Sequence, residues 1–266
     1  MRLDKLPLRG AIRLMLREEA KVTRILLRQA PRIERVVRLI TASLRKGGRL
    51  FYVGAGTSGR LGVLDASECP PTFHTRPDQV QGILAGGDAA LTRSVEGAED
   101  DEQAGADAVR RRRVGRRDIV IGIAASGTTP FVWAALRAAK ARKAATALVC
   151  FNPFLRIPPA LRPDVVLSPN VGPEILTGST RLKAGTATKL LLNLFTTLSM
   201  VRLGKVRSNL MVDVSPSNAK LKQRAARIVH ELTGLGADEA RNALEKHGWD
   251  IRKTVAREGK RRNPQG

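Results

Sequence analysis

Aromatic side chains are scarce in this chain, with six Phe, two Trp and one Tyr in 266 residues. They do not interleave with basic residues, so the stacking platform used by single-strand nucleic-acid binders is excluded. Cysteine is scarcer still. Cys69 and Cys150 form neither a metal-ligand nor a disulfide spacing, which points to a reducing compartment. His74, His230 and His247 stand apart from one another, without acidic or thiol partners at ligand spacing, and no metal site is expected. Long apolar runs are missing too. The longest, Leu190 to Val201, is broken by Asn193 and three hydroxyl residues and reads as a buried helix, not a membrane span. Charges at Arg2, Asp4, Lys5, Arg9 and Arg13 leave no apolar core for a signal peptide, so a cytoplasmic protein is expected.

Positive charge is in excess, with 47 Lys and Arg against 24 Asp and Glu, a formal net of +23. The excess is uneven. Residues 1–48 hold 13 basic and 4 acidic side chains, and Arg110 to Arg113 with Arg116 and Arg117 form a second cluster. Residues 54–107 hold 3 basic and 10 acidic side chains, a net of −7. The cations therefore lie on outer helices and one loop, away from the segment richest in motifs. Specific nucleic-acid binding is not expected, only the salt-sensitive adhesion of a basic surface.

Ala11 to Gln29 and Arg32 to Arg45 carry apolar residues at helical spacing, parted at Pro31. From Arg49 the pattern changes to short apolar runs alternating with helical stretches. The runs are Leu50–Val53, Val80–Leu84, Ile119–Ile123, Thr146–Phe151 and Val165–Leu167. Each is apolar throughout, as parallel strands covered on both faces require. The expected fold is α/β, a three-layer αβα sandwich with a parallel sheet of about five strands and a small C-terminal three-helix appendage. A long helix is expected from about Leu182 to Leu203, and three short ones after Asn218, punctuated by Gly234-Leu235-Gly236 and His247-Gly248 with Asp238 and Asp250 near two starts. The expected division is 1–46 for the N-terminal helices, 47–217 for the sheet domain and 218–260 for the helical domain. The end, Lys260 to Gly266, reads as frayed.

Two loops follow apolar runs and share one character: Gly54-Ala55-Gly56-Thr57-Ser58-Gly59-Arg60, and Ala124-Ala125-Ser126-Gly127-Thr128-Thr129-Pro130. A strand ending in such a turn, with a helix after it, directs backbone N–H groups and hydroxyls at a phosphate without a metal. Gly54-x-Gly56-x-x-Gly59 also matches the dinucleotide fingerprint formally. The second strand, however, ends in Leu84-Ala85-Gly86-Gly87 with no acidic residue for a ribose, and Asp88 reads as opening the next helix. A sugar phosphate is the better ligand. A third anion candidate is Ser179-Thr180-Arg181-Leu182-Lys183 at the start of the long helix, although hydroxyls there also serve as simple caps. Glu68 and Glu99 each follow a loop at the same end of the sheet. Alone, each is an ordinary surface carboxylate; together they suit an acid and base pair.

The run of motifs closely resembles the N-acetylmuramic acid 6-phosphate etherases of the sugar isomerase (SIS) superfamily, which also includes the glucokinase regulatory protein. The residues that carry it are Gly54 through Thr72, Ala85-Gly86-Gly87, Val95 through Asp101, Gly122 through Pro130, Gly172 through Thr188, Gly204-Lys205-Val206 and Asn209 through Val214. By that resemblance Glu68 and Glu99 are the acid/base glutamates. Gly56, Thr57, Ser58, Ser126, Gly127, Thr129, Ser179, Thr180 and Lys183 are the substrate and phosphate binders. The implied reaction splits N-acetylmuramic acid 6-phosphate into N-acetylglucosamine 6-phosphate and D-lactate by elimination and hydration, with no metal or other cofactor. The resemblance also implies a homodimer. Two departures stand out: Thr128 replaces an Arg usual in the family, and the family's Thr-Glu-x-Arg-Asn segment is not in this sequence. The alternatives are a sugar-phosphate sensor of the glucokinase-regulatory type and an aldose–ketose isomerase.

Overall fold

The computed structural model describes residues 2–214, 216 and 218–262, the side chains of 260–262 excepted. Of the terminus expected to fray, residues 263–266 lie outside the described residues. Two compact units are present: Met1–Ser67 with Asp78–Ser199, and Glu68–Pro77 with Met200–Gly266.

The first unit holds a sheet of β1 (Leu50–Gly54), β2 (Val80–Leu84), β3 (Ile119–Ile123), β4 (Ala145–Val149) and β5 (Val165–Leu167). The strands are all parallel and ordered β2-β1-β3-β4-β5. Every residue of β1 and β3 is buried, which is why these runs are apolar throughout instead of alternating. Phe51, Val53, Val120 and Leu148 pack against Val109, Phe131, Val132 and Leu136 of α4 (Glu102–Arg111) and α5 (Pro130–Ala141). The opposite face is covered by α2 (Ala30–Arg45) and α3 (Gly56–Phe73), with α6 (Lys183–Arg202) bonded to both. These helices are tied by bonds from Thr196 Oγ1 to Asp65 Oδ1 at 3.3 Å and from Ser199 Oγ to the Val37 carbonyl at 3.5 Å. The three layers expected from the sequence are thus present.

Close approach explains the glycines of the first loop. A Cβ on Gly54 would fall 2.7 Å from the Gly59 amide nitrogen, and one on Gly59 would collide with the Gly54 carbonyl. The fingerprint spacing therefore arises from seating α3 tightly on β1, a packing role that needs no dinucleotide.

Three details depart from expectation. α1 (Leu8–Leu27) starts before Ala11, and Pro31 falls inside the first turn of α2, where a missing amide donor costs nothing. Asp88 opens only a 3₁₀ turn, Asp88–Leu91. α4 waits until Glu102, where the Asp101 side chain accepts from the Ala104 amide at 2.7 Å. The fourth strand ends at Val149, two residues earlier than read.

The second unit contains α7 (Ala219–Thr233), α8 (Ala237–Lys246) and α9 (Ile251–Arg262) around Val214, Ala225, Val229, Ala240, Leu244 and Ile251. The Asn218 side chain caps α7 through the Leu221 amide at 2.9 Å. Gly234 closes the helix in the left-handed region at φ 70°, and Asp250 accepts from the Lys253 amide at 2.9 Å.

Candidate active site

In a 2-1-3-4-5 parallel sheet the crossovers after β1 and β3 leave on opposite faces and open a crevice between those strands. Here α3 follows β1 on one face and α5 follows β3 on the other, so both Gly- and hydroxyl-rich loops flank that crevice. The sequence leaves strand order open, and the topology supplies it.

Gly56 takes φ 52° at the first residue of α3, with Thr57 and Ser58 half-buried behind it. The second loop is held more tightly. Gly127 sits at φ 79°, and a Cβ there would also strike Leu155. The Trp133 indole N–H donates to the Gly127 carbonyl at 2.7 Å, and Asn152 Nδ2 donates to the Ser126 carbonyl at 3.2 Å. With its carbonyls engaged from behind, the loop is pre-set, with Ser126 exposed. Thr128 turns inward on the loop: its Oγ1 lies 2.9 Å from Ser126 Oγ, and its amide donates to that hydroxyl at 3.2 Å. Thr129 is the residue before α5 and makes no side-chain cap, which leaves its hydroxyl available.

Glu99 lies between the first loop and the start of α5. It lines a cavity of about 170 Å³ with Gly56, Arg60, Ala85, Ser94 and Gly97, and its carbonyl accepts from the Phe131 amide at 3.0 Å, in the first turn of α5. Arg60 closes the wall by donating to the carbonyls of Ala90 at 2.8 Å and Arg93 at 3.0 Å. Glu68 is exposed on α3, eleven residues beyond Thr57. That spacing returns it to the same side of the helix, about 16 Å further along its axis.

The third candidate loop ends differently from expectation. Ser179 and Thr180 lie in a turn before α6, and the amides of Lys183 and Ala184 are bonded by the Glu174 carboxylate at 3.0 and 2.9 Å. Glu174, not a hydroxyl, caps this helix. Lys183 is only 2% exposed and its Nζ pairs with Glu18 Oε2 of α1 at 3.0 Å. A Cβ on Gly185 would lie 3.6 Å from Thr57 Cγ2 and 3.7 Å from the Thr180 carbonyl oxygen, so the first turn of α6 stands beside both the first and the third loop. Thr57 lines a second cavity with Arg181, Gly185, Thr186 and Lys189. Among the described residues no three His, Cys, Asp or Glu side chains converge as a metal would need. None of the helices searched is long and apolar enough to cross a membrane.

The family model of the glucokinase regulatory protein N-terminal SIS domain matches residues 32–140. The N-acetylmuramic acid 6-phosphate etherase of Gloeobacter violaceus is 55% identical over 94% of this chain and 81% of that protein. The chain belongs to the N-acetylmuramic acid 6-phosphate etherase family. Another etherase, from Cutibacterium acnes, is 52% identical over 95% of this chain and 83% of that protein. A phosphosugar isomerase homologue from Bacteroides fragilis, described as involved in capsule formation, superposes with a TM-score of 0.52 over 76% of this chain and 95% of its own, at 19% identity, and shares the fold.

In this etherase-family chain the supports of the site escape sequence reasoning. Arg60, Trp133 and Glu174 act through backbone carbonyls or amides, those of Arg60 some thirty residues away. Glu174 alone leaves a trace, an acid shortly before a helix start. The Glu18–Lys183 pair links residues 165 positions apart, so no local pattern announces it. Lys21 and Lys183, in that order, hold the Glu18 carboxyl below its ordinary range, against a desolvation that acts the other way. A depressed carboxylate stabilises the fold above its unfolded value, about 4.3. That contribution is lost as pH falls through the lower folded value. Acid titration of α1 docking, followed by amide exchange at Val22 and Leu26, is expected to show this loss in the native chain. In Glu18→Gln the pH dependence disappears; an unchanged profile would refute the pairing.

Proposed function

We propose that the chain cleaves the lactyl ether of N-acetylmuramic acid 6-phosphate, releasing D-lactate and leaving N-acetylglucosamine 6-phosphate. The observation that carries this is Glu99, which shares a cavity with Gly56 and is bonded through its backbone to the start of α5. A carboxylate beside the first loop and next to the helix that leaves the second suits work on a sugar whose phosphate those loops hold.

In this reading Thr57, Ser58, Ser126, Gly127 and Thr129 hold the phosphate, with Ser179 and Thr180 closing the third side. Arg181 and Lys189, in the cavity beside Thr57, supply the cations that Thr128 does not. Lys183 acts from within by fixing the start of α6 to Glu18. In the open-chain aldehyde the C2 proton is acidic. Glu99 removes it, the electron pair forms the C2–C3 double bond, and the C3–O bond to lactate breaks as Glu68 protonates the departing oxygen. Water then adds at C3 and a proton returns to C2.

The 16 Å between Thr57 and Glu68 along α3 exceeds the span of a hexose phosphate. In this reading Glu68 serves a substrate held by a second copy, and the working form is a homodimer. Leu198 and Val201 of α6, 41% and 42% exposed, support an apolar face for such a partner. The site of action is the cytoplasm, where the two buried free cysteines stay reduced.

The purified chain is incubated with N-acetylmuramic acid 6-phosphate in ¹⁸O-labelled water. D-lactate release with ¹⁸O at C3 of the product is the expected result. Binding without lactate would favour a regulator, and aldose–ketose interconversion an isomerase; either result overturns the etherase reading.

A further inference from the structure

Besides the cations of its outer helices, the sheet-bearing unit gathers a second group of cations in the segments that lead into its strands. Because the strands are parallel, the segments leading into them collect at one edge of the sheet, opposite the edge that carries the site. Residues 45–49 lead into β1, 111–118 into β3 and 141–144 into β4. These segments are interlocked. Ser43 Oγ donates to the Arg117 carbonyl, Arg49 Nη2 to the Arg113 carbonyl at 3.1 Å, and Arg142 Nε to the Val114 carbonyl at 2.5 Å. Asp118 is the only carboxylate in the three segments, and it is 5% exposed and engaged by Arg49 and the Gly115 amide. Lys46, Arg111, Arg113, Arg116, Arg117 and Lys143 remain exposed around it. Crowding registers at half-buried Arg112: burial first, and Arg111 second, pull its pKa down, with Asp88 opposing.

We propose that this edge docks the phosphodiester backbone of duplex nucleic acid without regard to sequence. β1, β3 and β4 are adjacent strands about 4.8 Å apart, so their leading segments form a narrow ridge, suited to a linear polyanion more than to a plane. A duplex presents one charge per about 1.7 Å of its axis. Arginine dominates the ridge, and its planar fork matches phosphate oxygens. No aromatic or large aliphatic side chain is exposed in these segments, so neither base stacking nor insertion into a bilayer has a foothold. Interlocking keeps the loops ordered before binding, which lowers the ordering cost.

Fluorescence anisotropy with a short labelled duplex of random sequence, repeated across salt concentrations, tests this on the full chain. Binding should weaken linearly on a log–log plot. The triple variant Arg113→Gln, Arg116→Gln, Arg117→Gln should bind at least tenfold more weakly at low salt, with a slope lower by roughly 3. Removing the same charge from α1, as Arg9→Gln, Arg13→Gln, Arg17→Gln, should leave affinity within about twofold. Lys46→Gln with Lys143→Gln probes the ridge from its other two loops, should the triple variant fold poorly. Lactate release should be unchanged in each, since the ridge lies across the sheet from the site. Equal losses in the ridge and α1 variants would overturn the proposal, as would tighter retention on phosphatidylserine vesicles than on duplex, or a preference for one sequence.

Discussion

Glu99→Gln should lose both lactate release and exchange of the C2 proton with deuterated solvent, whereas Glu68→Gln should lose lactate release alone. Deprotonation at C2 needs the base and the phosphate anchors, and Glu99 lies where the first loop and α5 meet. Expulsion of lactate needs an acid at the departing oxygen, which is the part left to Glu68. Removing a positioned acid or base costs on the order of 10²–10⁴ in rate, so the losses are readily measured. Reversal of the two exchange patterns would exchange the roles. Full activity in both variants would remove the pair from the mechanism.

The two variants also test whether a site draws on two copies. In a mixed dimer of Glu68→Gln and Glu99→Gln chains, a shared site would pair the intact Glu99 of one copy with the intact Glu68 of the other. Mixing the inactive proteins should then restore roughly a quarter of native activity, since about half of the dimers are mixed and half of their sites intact. If both glutamates act within one chain, every site in the mixture carries a lesion and no activity returns. The helix α3 makes the first outcome the expected one, because Glu68 stands three turns beyond Thr57 on a continuous helix.

The two Gly- and hydroxyl-rich loops were legible because their pattern is local: an apolar run, a turn, a helix. Strands such as Ile119–Ile123 were legible for a related reason, since burial on both faces admits only apolar residues. Strand order was not, because nothing in a parallel strand records its neighbour, and so the crevice between β1 and β3 appeared only with the topology. The 3₁₀ turn at Asp88 was misread because an acidic residue after Gly-Gly looks like a helix start. The decisive fact, Arg60 holding the carbonyls of Ala90 and Arg93, is a bond across some thirty residues. Lys183 shows the same limit: a cation at a helix start suggests an anion site, while its partner Glu18 lies at the other end of the chain.

Asp118→Ala should destabilise the sheet-bearing unit by about 3 kcal/mol, the lower end of what breaking a buried ion pair costs. Its carboxylate is 6% exposed and lies 2.9 Å from Arg49 Nη2, while the partner is 23% exposed, which argues for the lower figure. The same carboxylate accepts from the Arg49 amide at 2.8 Å and the Gly115 amide at 2.9 Å, so Ala strands two backbone donors besides the charge. Asp118→Asn keeps an acceptor for one of them and should lose roughly half as much. Removing both charges, as Arg49→Met with Asp118→Leu, should recover part of the loss, because the burden lies in the unpaired cation left behind. Trp133 of α5 reports on this unit, and in a Trp249→Phe background its fluorescence follows urea unfolding of the sheet without signal from the helical unit. A midpoint shift worth less than about 1 kcal/mol in Asp118→Ala would show that the backbone bonds at this edge close without the carboxylate.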